Sequence, residues 1–212
     1  MPIAAAAPRR FLALGDSYTI GEGVAPEERW PAQLARRLRS AGVGIDDPQI
    51  VATTGWSTDE LAAAMDAQRF TPPYALVSLL IGVNNQYRGR PLNNYREEFV
   101  DLVARAVALA ARREHVVVVS IPDWGVTRFA RSRGRDVTRI AGEIDAFNAA
   151  ARGIAANSGI AFVDITADSR DAGDADDLLV ADGLHPSAAQ YTRWTRLIEP
   201  FARAALATEL NE

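Results

Sequence analysis

The chain contains no cysteine, and none of its 23 basic residues is lysine. The first absence removes disulfides, thiolate metal sites, iron–sulfur clusters and a cysteine nucleophile. The second removes Schiff-base chemistry, a pyridoxal-phosphate lysine and a P-loop lysine. Heavy alanine and arginine use is consistent with a GC-rich genome and carries no chemical reading. There are 2 histidines, His115 and His185, so one chain cannot build a three-histidine metal site. No apolar run approaches the ~18 residues of a membrane-spanning helix, so no stable membrane insertion is expected. The alanine run Ala4–Ala7 lacks a basic segment followed by a long apolar stretch. A signal peptide is therefore not expected, and a cytoplasmic location is, with export left open.

What is present describes an ordinary globular chain. Its 212 residues are 48% hydrophobic and 24% charged, which suits one domain over residues 1–212 with a full core. The net charge of −4 shows no basic excess, so no nucleic-acid partner is expected. Composition gives no reading of oligomeric state.

Apolar runs alternate with helical patterns along the chain. Strands are expected at the segment RRFLALGD, at Gln49–Thr53, Tyr74–Ile81, His115–Ile121 and Ile160–Ile165. Helices are expected at Trp30–Ala41, Thr58–Asp66, Asn94–Arg113, Asp136–Asn157 and Pro186–Leu206. Strands that are apolar throughout suit a parallel sheet covered on both faces. The expected fold is α/β, a three-layer α/β/α sandwich around a five-stranded parallel sheet with right-handed crossovers. The two longest loops are expected at Asn84–Asn93 and Pro122–Arg135.

Ligands of such sheets bind beyond the carboxyl ends of the strands. That rule gathers Asp16 and Ser17 after strand one, Gly55 after strand two, Asn84 and Asn85 after strand three, and Asp123 and Trp124 after strand four. His185 follows the loop after strand five and can reach the same edge. His115 begins strand four, at the opposite end, and is expected to have no catalytic task.

Each of these residues alone has an ordinary reading. Ser17 in LALGDSYTIGEG suits a helix N-cap. Asn84 and Gly55 are normal turn residues. Asp182 and His185 in ADGLHPS suit a polar loop. Together they supply a nucleophile, a base, an orienting acid and oxyanion donors, the set acyl transfer requires. A carboxylate three residues before an imidazole can hold its Nδ1 and leave Nε2 to take a proton from serine.

The four blocks, in order, resemble the SGNH hydrolases, also called GDSL esterases and lipases. They read Gly15-Asp16-Ser17, Gly55, Gly82-Val83-Asn84 and Asp182-Gly183-Leu184-His185-Pro186. The resemblance implies a flavodoxin-like fold with Ser17 as nucleophile, His185 as base and Asp182 as the third triad member. It also implies an oxyanion hole of the Ser17 and Gly55 N–H groups and the Asn84 side chain. One position departs from the family: the third block usually reads Gly-x-Asn-Asp, and here its last residue is Asn85. That puts loop positioning and substrate preference in question. The nucleophile-elbow pattern G-x-S-x-G is absent.

The implied activity is hydrolysis of small-molecule esters of short to medium acyl chain, with no cofactor and no metal. Lysophospholipase, thioesterase or carbohydrate O-deacetylase activity at the same site, and a catalytically silent binding protein, are the alternatives. Tyr18, Trp124 and Phe129 are candidates for a substrate pocket. The arginines between Arg128 and Arg135, with Arg88 and Arg90, read first as a solvated basic face. The acidic run Asp164–Asp177 lacks EF-hand spacing and reads as a solvated loop.

Overall fold

A computed structural model describes residues 9–207. The alanine run Ala4–Ala7 lies outside the described residues. Five strands form one parallel sheet in the order β2-β1-β3-β4-β5. They are β1 (Phe11–Gly15), β2 (Gln49–Ala52), β3 (Leu76–Leu80), β4 (Val116–Val119) and β5 (Ala161–Val163). The helices are α1 (Ser17–Ile20), α2 (Trp30–Ser40), α3 (Thr58–Ala67), α4 (Val83–Tyr87), α5 (Leu92–Leu109), α6 (Arg128–Ser132), α7 (Val137–Asn157), α8 (Thr166–Ala172) and α9 (Ala188–Ala207).

The inner strands are buried on both faces, as their near-continuous apolar sequences require, with Ser78 the one polar side chain in β3. The edge strands β2 and β5 carry half-buried residues instead. Helices α2 and α9 pack together on one face, and α3, α5 and α7 cover the other. This is the expected α/β/α sandwich, wound in the flavodoxin-like order. The winding reverses direction between β1 and β3, and a crevice opens beyond their carboxyl ends. Ser17 and Asn84 leave the sheet on either side of that crevice. Among the described residues, no helix is long and apolar enough to cross a membrane.

The structure departs from the expected elements where local capping outweighs periodicity. The two expected long loops are partly helical. Val83–Tyr87 forms α4, Trp124–Val126 a 3₁₀ turn, and Arg128–Ser132 forms α6. Asp123 accepts the Gly125 N–H, and Thr127 accepts the Ala130 N–H. Those caps start helices too short to show an apolar period. Helix α5 ends at Leu109, before the expected Arg113, because Ala110 and Ala111 pair with Tyr74 and extend the sheet instead. Pro186 pairs with Leu179 in an isolated bridge, so α9 starts only at Ala188.

The acidic run is a solvated loop only in its second part: Thr166–Ala172 form α8, and residues 173–177 stay outside helix with Asp176 and Asp177 exposed. Arginines pair with five of its carboxylates, Arg152 with Asp164, Arg193 with Asp168 and Asp171, Arg131 with Asp174 and Arg128 with Asp176. The expected basic face is thereby largely consumed. His115 sits fully buried in a short turn before β4, at the sheet end away from the crevice.

Candidate active site

The site is built where β1 turns into α1. A Cβ at Gly15 would run into the Leu80 carbonyl oxygen and the Thr19 hydroxyl, so only glycine lets the chain leave the sheet here. Asp16 follows and caps α1, accepting the Tyr18 N–H at 3.0 Å. Asp16 is fully buried, and burial pushes its pKa up from 3.8 to about 7 against the smaller pull of the backbone N–H groups. Ser17 comes next, 4% exposed, and opens into a cavity of about 210 Å³.

The structure brings Gly55, Asn84, His185, Tyr18, Trp124 and Phe129 to that same cavity. Gly55 has φ of +90°, a conformation that favours glycine. The N–H groups of Ser17 and Gly55 have no acceptor among the described residues, so both are free to meet an incoming oxygen. The Asn84 amide donates one hydrogen to the Trp56 carbonyl at 2.9 Å, which fixes its plane and leaves a second hydrogen for a ligand.

Asp182 does not line the cavity; it stands behind His185. Its Oδ2 lies 2.6 Å from His185 Nδ1, and its Oδ1 accepts the backbone N–H groups of Leu184 and His185 at 2.8 and 3.0 Å. Burial would raise the Asp182 pKa, but these hydrogen bonds outweigh it and hold the carboxyl below its ordinary value. An ionised carboxylate in this position can accept a hydrogen bond from a proton-bearing Nδ1 and so orient the imidazole ring. Ser17 and His185 share the cavity without a direct hydrogen bond; such contacts are often loose until substrate fills the site.

Residues not anticipated from the sequence complete the cavity: Thr54, Val83, Tyr87 and Leu184. Tyr87 escaped the sequence because the helix Val83–Tyr87 that carries it is too short to show an apolar period. A second layer clamps the Gly55 loop. Arg88 donates to the Gly55 carbonyl at 2.7 Å and pairs with Glu60 at 2.9 Å, and Arg90 pairs with Asp59 at 2.5 Å. These arginines hold a loop, where the sequence suggested a solvated face. Asn85, fully buried, accepts the Thr58 N–H at 3.1 Å and donates to the Thr58 hydroxyl at 2.6 Å. The departure at Asn85 thus retains a tie between the third block and the second.

The aromatic side of the cavity is pinned as well. The Trp124 indole donates to Gln86 at 2.8 Å, and Gln86 donates to Glu143 at 2.6 Å. The Phe129 N–H donates to the Gly183 carbonyl at 3.0 Å, joining the aromatic segment to the histidine loop. Among the described residues, no group of carboxylates and histidines is placed to hold a metal ion.

Comparison with curated proteins gives no match. Among solved structures, the chain resembles one titled as TesA, with a TM-score of 0.72 and 22% identity over 93% of this chain and 99% of that one. A lipase/acylhydrolase from Enterococcus faecalis gives 0.70 and 19%, covering 92% and 96%. A variant acetyl xylan esterase from Geobacillus stearothermophilus gives 0.70 and 19%, covering 92% and 94%. At these identities the likeness is one of fold. A profile of the GDSL-like Lipase/Acylhydrolase family matches residues 13–193, a span that holds every residue from Ser17 to His185 discussed above. The chain is a member of that family of SGNH hydrolases.

Proposed function

We propose that the protein is a serine esterase that hydrolyses carboxylic esters of short to medium acyl chain. The observation that carries this reading is the Asp182–His185 contact of 2.6 Å behind a cavity that Ser17, Gly55, Asn84 and His185 share. In the proposed reaction His185 Nε2 takes the Ser17 proton as Oγ attacks the ester carbonyl. The carbonyl π bond opens to an oxyanion, which the Ser17 and Gly55 N–H groups and the Asn84 amide receive. The intermediate collapses to an acyl-Ser17 ester, and the alcohol leaves with the proton from His185. Water then repeats the two steps to release the acid and restore Ser17.

The apolar lining of Tyr18, Val83, Tyr87, Trp124, Phe129 and Leu184 supports an acyl or alcohol group of modest size. The test is hydrolysis of nitrophenyl esters from acetate to long acyl chains, with Ser17→Ala beside the wild type. Ser17-dependent turnover with an optimum at short or medium chains is expected. A Ser17→Ala variant that kept most of the wild-type kcat would overturn the reading.

A further inference from the structure

One wall of the cavity is a row of three aromatic side chains with an arginine at each end. The Tyr87 and Trp124 ring centroids are 5.2 Å apart, and those of Trp124 and Phe129 are 6.3 Å apart. All three rings line the cavity with Ser17 and His185. The Arg133 guanidinium carbon lies 4.3 Å from the Phe129 centroid, and that of Arg135 lies 5.4 Å from the Tyr87 centroid. Arg135 also donates to the Tyr87 hydroxyl at 3.3 Å.

The neighbouring arginines are neutralised. Arg128 pairs with Asp176, Arg131 with Asp174 at 2.5 Å, and Arg139 with Glu143 at 2.7 Å. The nearby Asp136 carboxylate caps α7, accepting the Arg139 N–H at 3.0 Å. Among the described residues, neither Arg133 nor Arg135 meets a carboxylate within ion-pair distance, and both are exposed. Two uncompensated positive charges therefore flank the pocket of a protein whose net charge is −4. Stacking on a ring orients each guanidinium, so less freedom is lost when it binds an anion.

We infer that Arg133 and Arg135, each stacked on an aromatic ring of the cavity wall, make the outer rim of the cavity an anion site, and that the preferred ester carries an anionic oxyacid group, carboxylate or phosphate, on the part that reaches this rim. Turnover of such an ester rests on the esterase reading above; binding of the anion rests on the arginines alone. An apolar pocket without them would penalise a charged tail strongly, since the ion would lose water and gain no partner.

The test compares nitrophenyl hexanoate with the nitrophenyl monoester of adipic acid and its phosphonate-terminated analogue. At low ionic strength the wild type should prefer the anionic esters by about 3- to 10-fold in kcat/KM, mainly through KM. The preference should vanish in the Arg133→Gln/Arg135→Gln double variant, and shrink in about 1 M salt, where screening acts within ~3 Å. A preference confined to the phosphonate assigns the site to phosphate esters, and one confined to the carboxylate to half-esters of dicarboxylic acids. Calorimetric titration of Ser17→Ala with hexyl phosphate against hexanol reads binding without turnover. It should show the phosphate bound at least about 3-fold tighter, through the same two arginines. If no ester is turned over but that binding persists, the esterase reading fails and the anion site stands. If Ser17-dependent hydrolysis and ligand binding both ignore the arginines, the anion site is refuted and the esterase stands.

Discussion

Replacing Asp16 with asparagine tests how the segment before the proposed nucleophile is held. Asp16 is fully buried, and its Oδ2 has no hydrogen-bond partner among the described residues. Burial raises its pKa from 3.8 to about 7. Between those values the folded protein retains a proton that the unfolded chain has already released. Stability therefore falls as pH rises through this window, and the loss is complete above the folded value. The two values are about 3 pH units apart, which corresponds to on the order of 4 kcal/mol. Asp16→Asn retains an oxygen to accept the Tyr18 N–H and cannot ionise. At about pH 5 the variant should be the less stable protein, because its amide N–H₂ is buried where the wild type has a neutral acid. By about pH 8.5 it should have gained some 2–3 kcal/mol on the wild type, roughly 4–12 °C in relative Tm, since about 2 of the 3 pH units lie above pH 5. The assay is urea or thermal unfolding of both proteins across that range. Parallel stability curves would refute the reasoning, since they would mean that Asp16 ionises at no cost to the fold.

The remaining predictions concern catalysis and the loop around Gly55. Asp182→Asn should lower kcat by roughly 10³–10⁴, because the amide no longer holds the imidazole in the productive tautomer. With the Asp182 carboxyl held below its ordinary pKa, its protonation should cost activity only at pH below the usual carboxylate range, read from log kcat/KM against pH. Asn84→Ala should cost about 10²–10³ in kcat with a smaller change in KM. Arg88→Gln frees the Gly55 carbonyl and should lower kcat on the order of 10-fold, measured by steady-state kinetics, with little effect on the melting temperature. Asn85→Asp should destabilise by about 1–3 kcal/mol, and adding Glu98→Gln should recover much of that loss in a double-mutant cycle.

The order of strands and helices was legible because burial on both faces makes β1, β3 and β4 near-continuous apolar runs. The active edge then followed from topology, since the loops that leave the carboxyl ends of parallel strands, and with them Ser17, Gly55 and Asn84, all lie at the same end of the sheet. What escaped the sequence were contacts with no period and no motif. Helices α4 and α6 are 5 residues each, too short for an apolar stripe, and α6 is started by the Thr127 cap. The arginines were misjudged for a related reason. A run of charges looks the same whether it faces water or an opposing run, and only the fold sets Arg128 and Arg131 against Asp176 and Asp174.

Asn85 shows how a departure from a family pattern can be compensated far along the chain. Its amide donates to the Thr58 hydroxyl at 2.6 Å, and that hydroxyl in turn donates to Glu98. A hydroxyl has one hydrogen to give. An aspartate at position 85 could only accept, so it would compete with Glu98 for that hydrogen and bring a second negative charge beside it. The asparagine lets the chain of donors run in one direction, from Asn85 through Thr58 to the carboxylate. Glu98 lies on α5 and is also bonded by Asn94 at 2.7 Å, so the partner of the third block sits 13 residues beyond Asn85 in sequence. The amide at position 85 and the carboxylate at position 98 are thus a matched pair. Their exchange in polarity, Asp with Gln, reverses every donor in the chain while leaving the Gly55 loop tied.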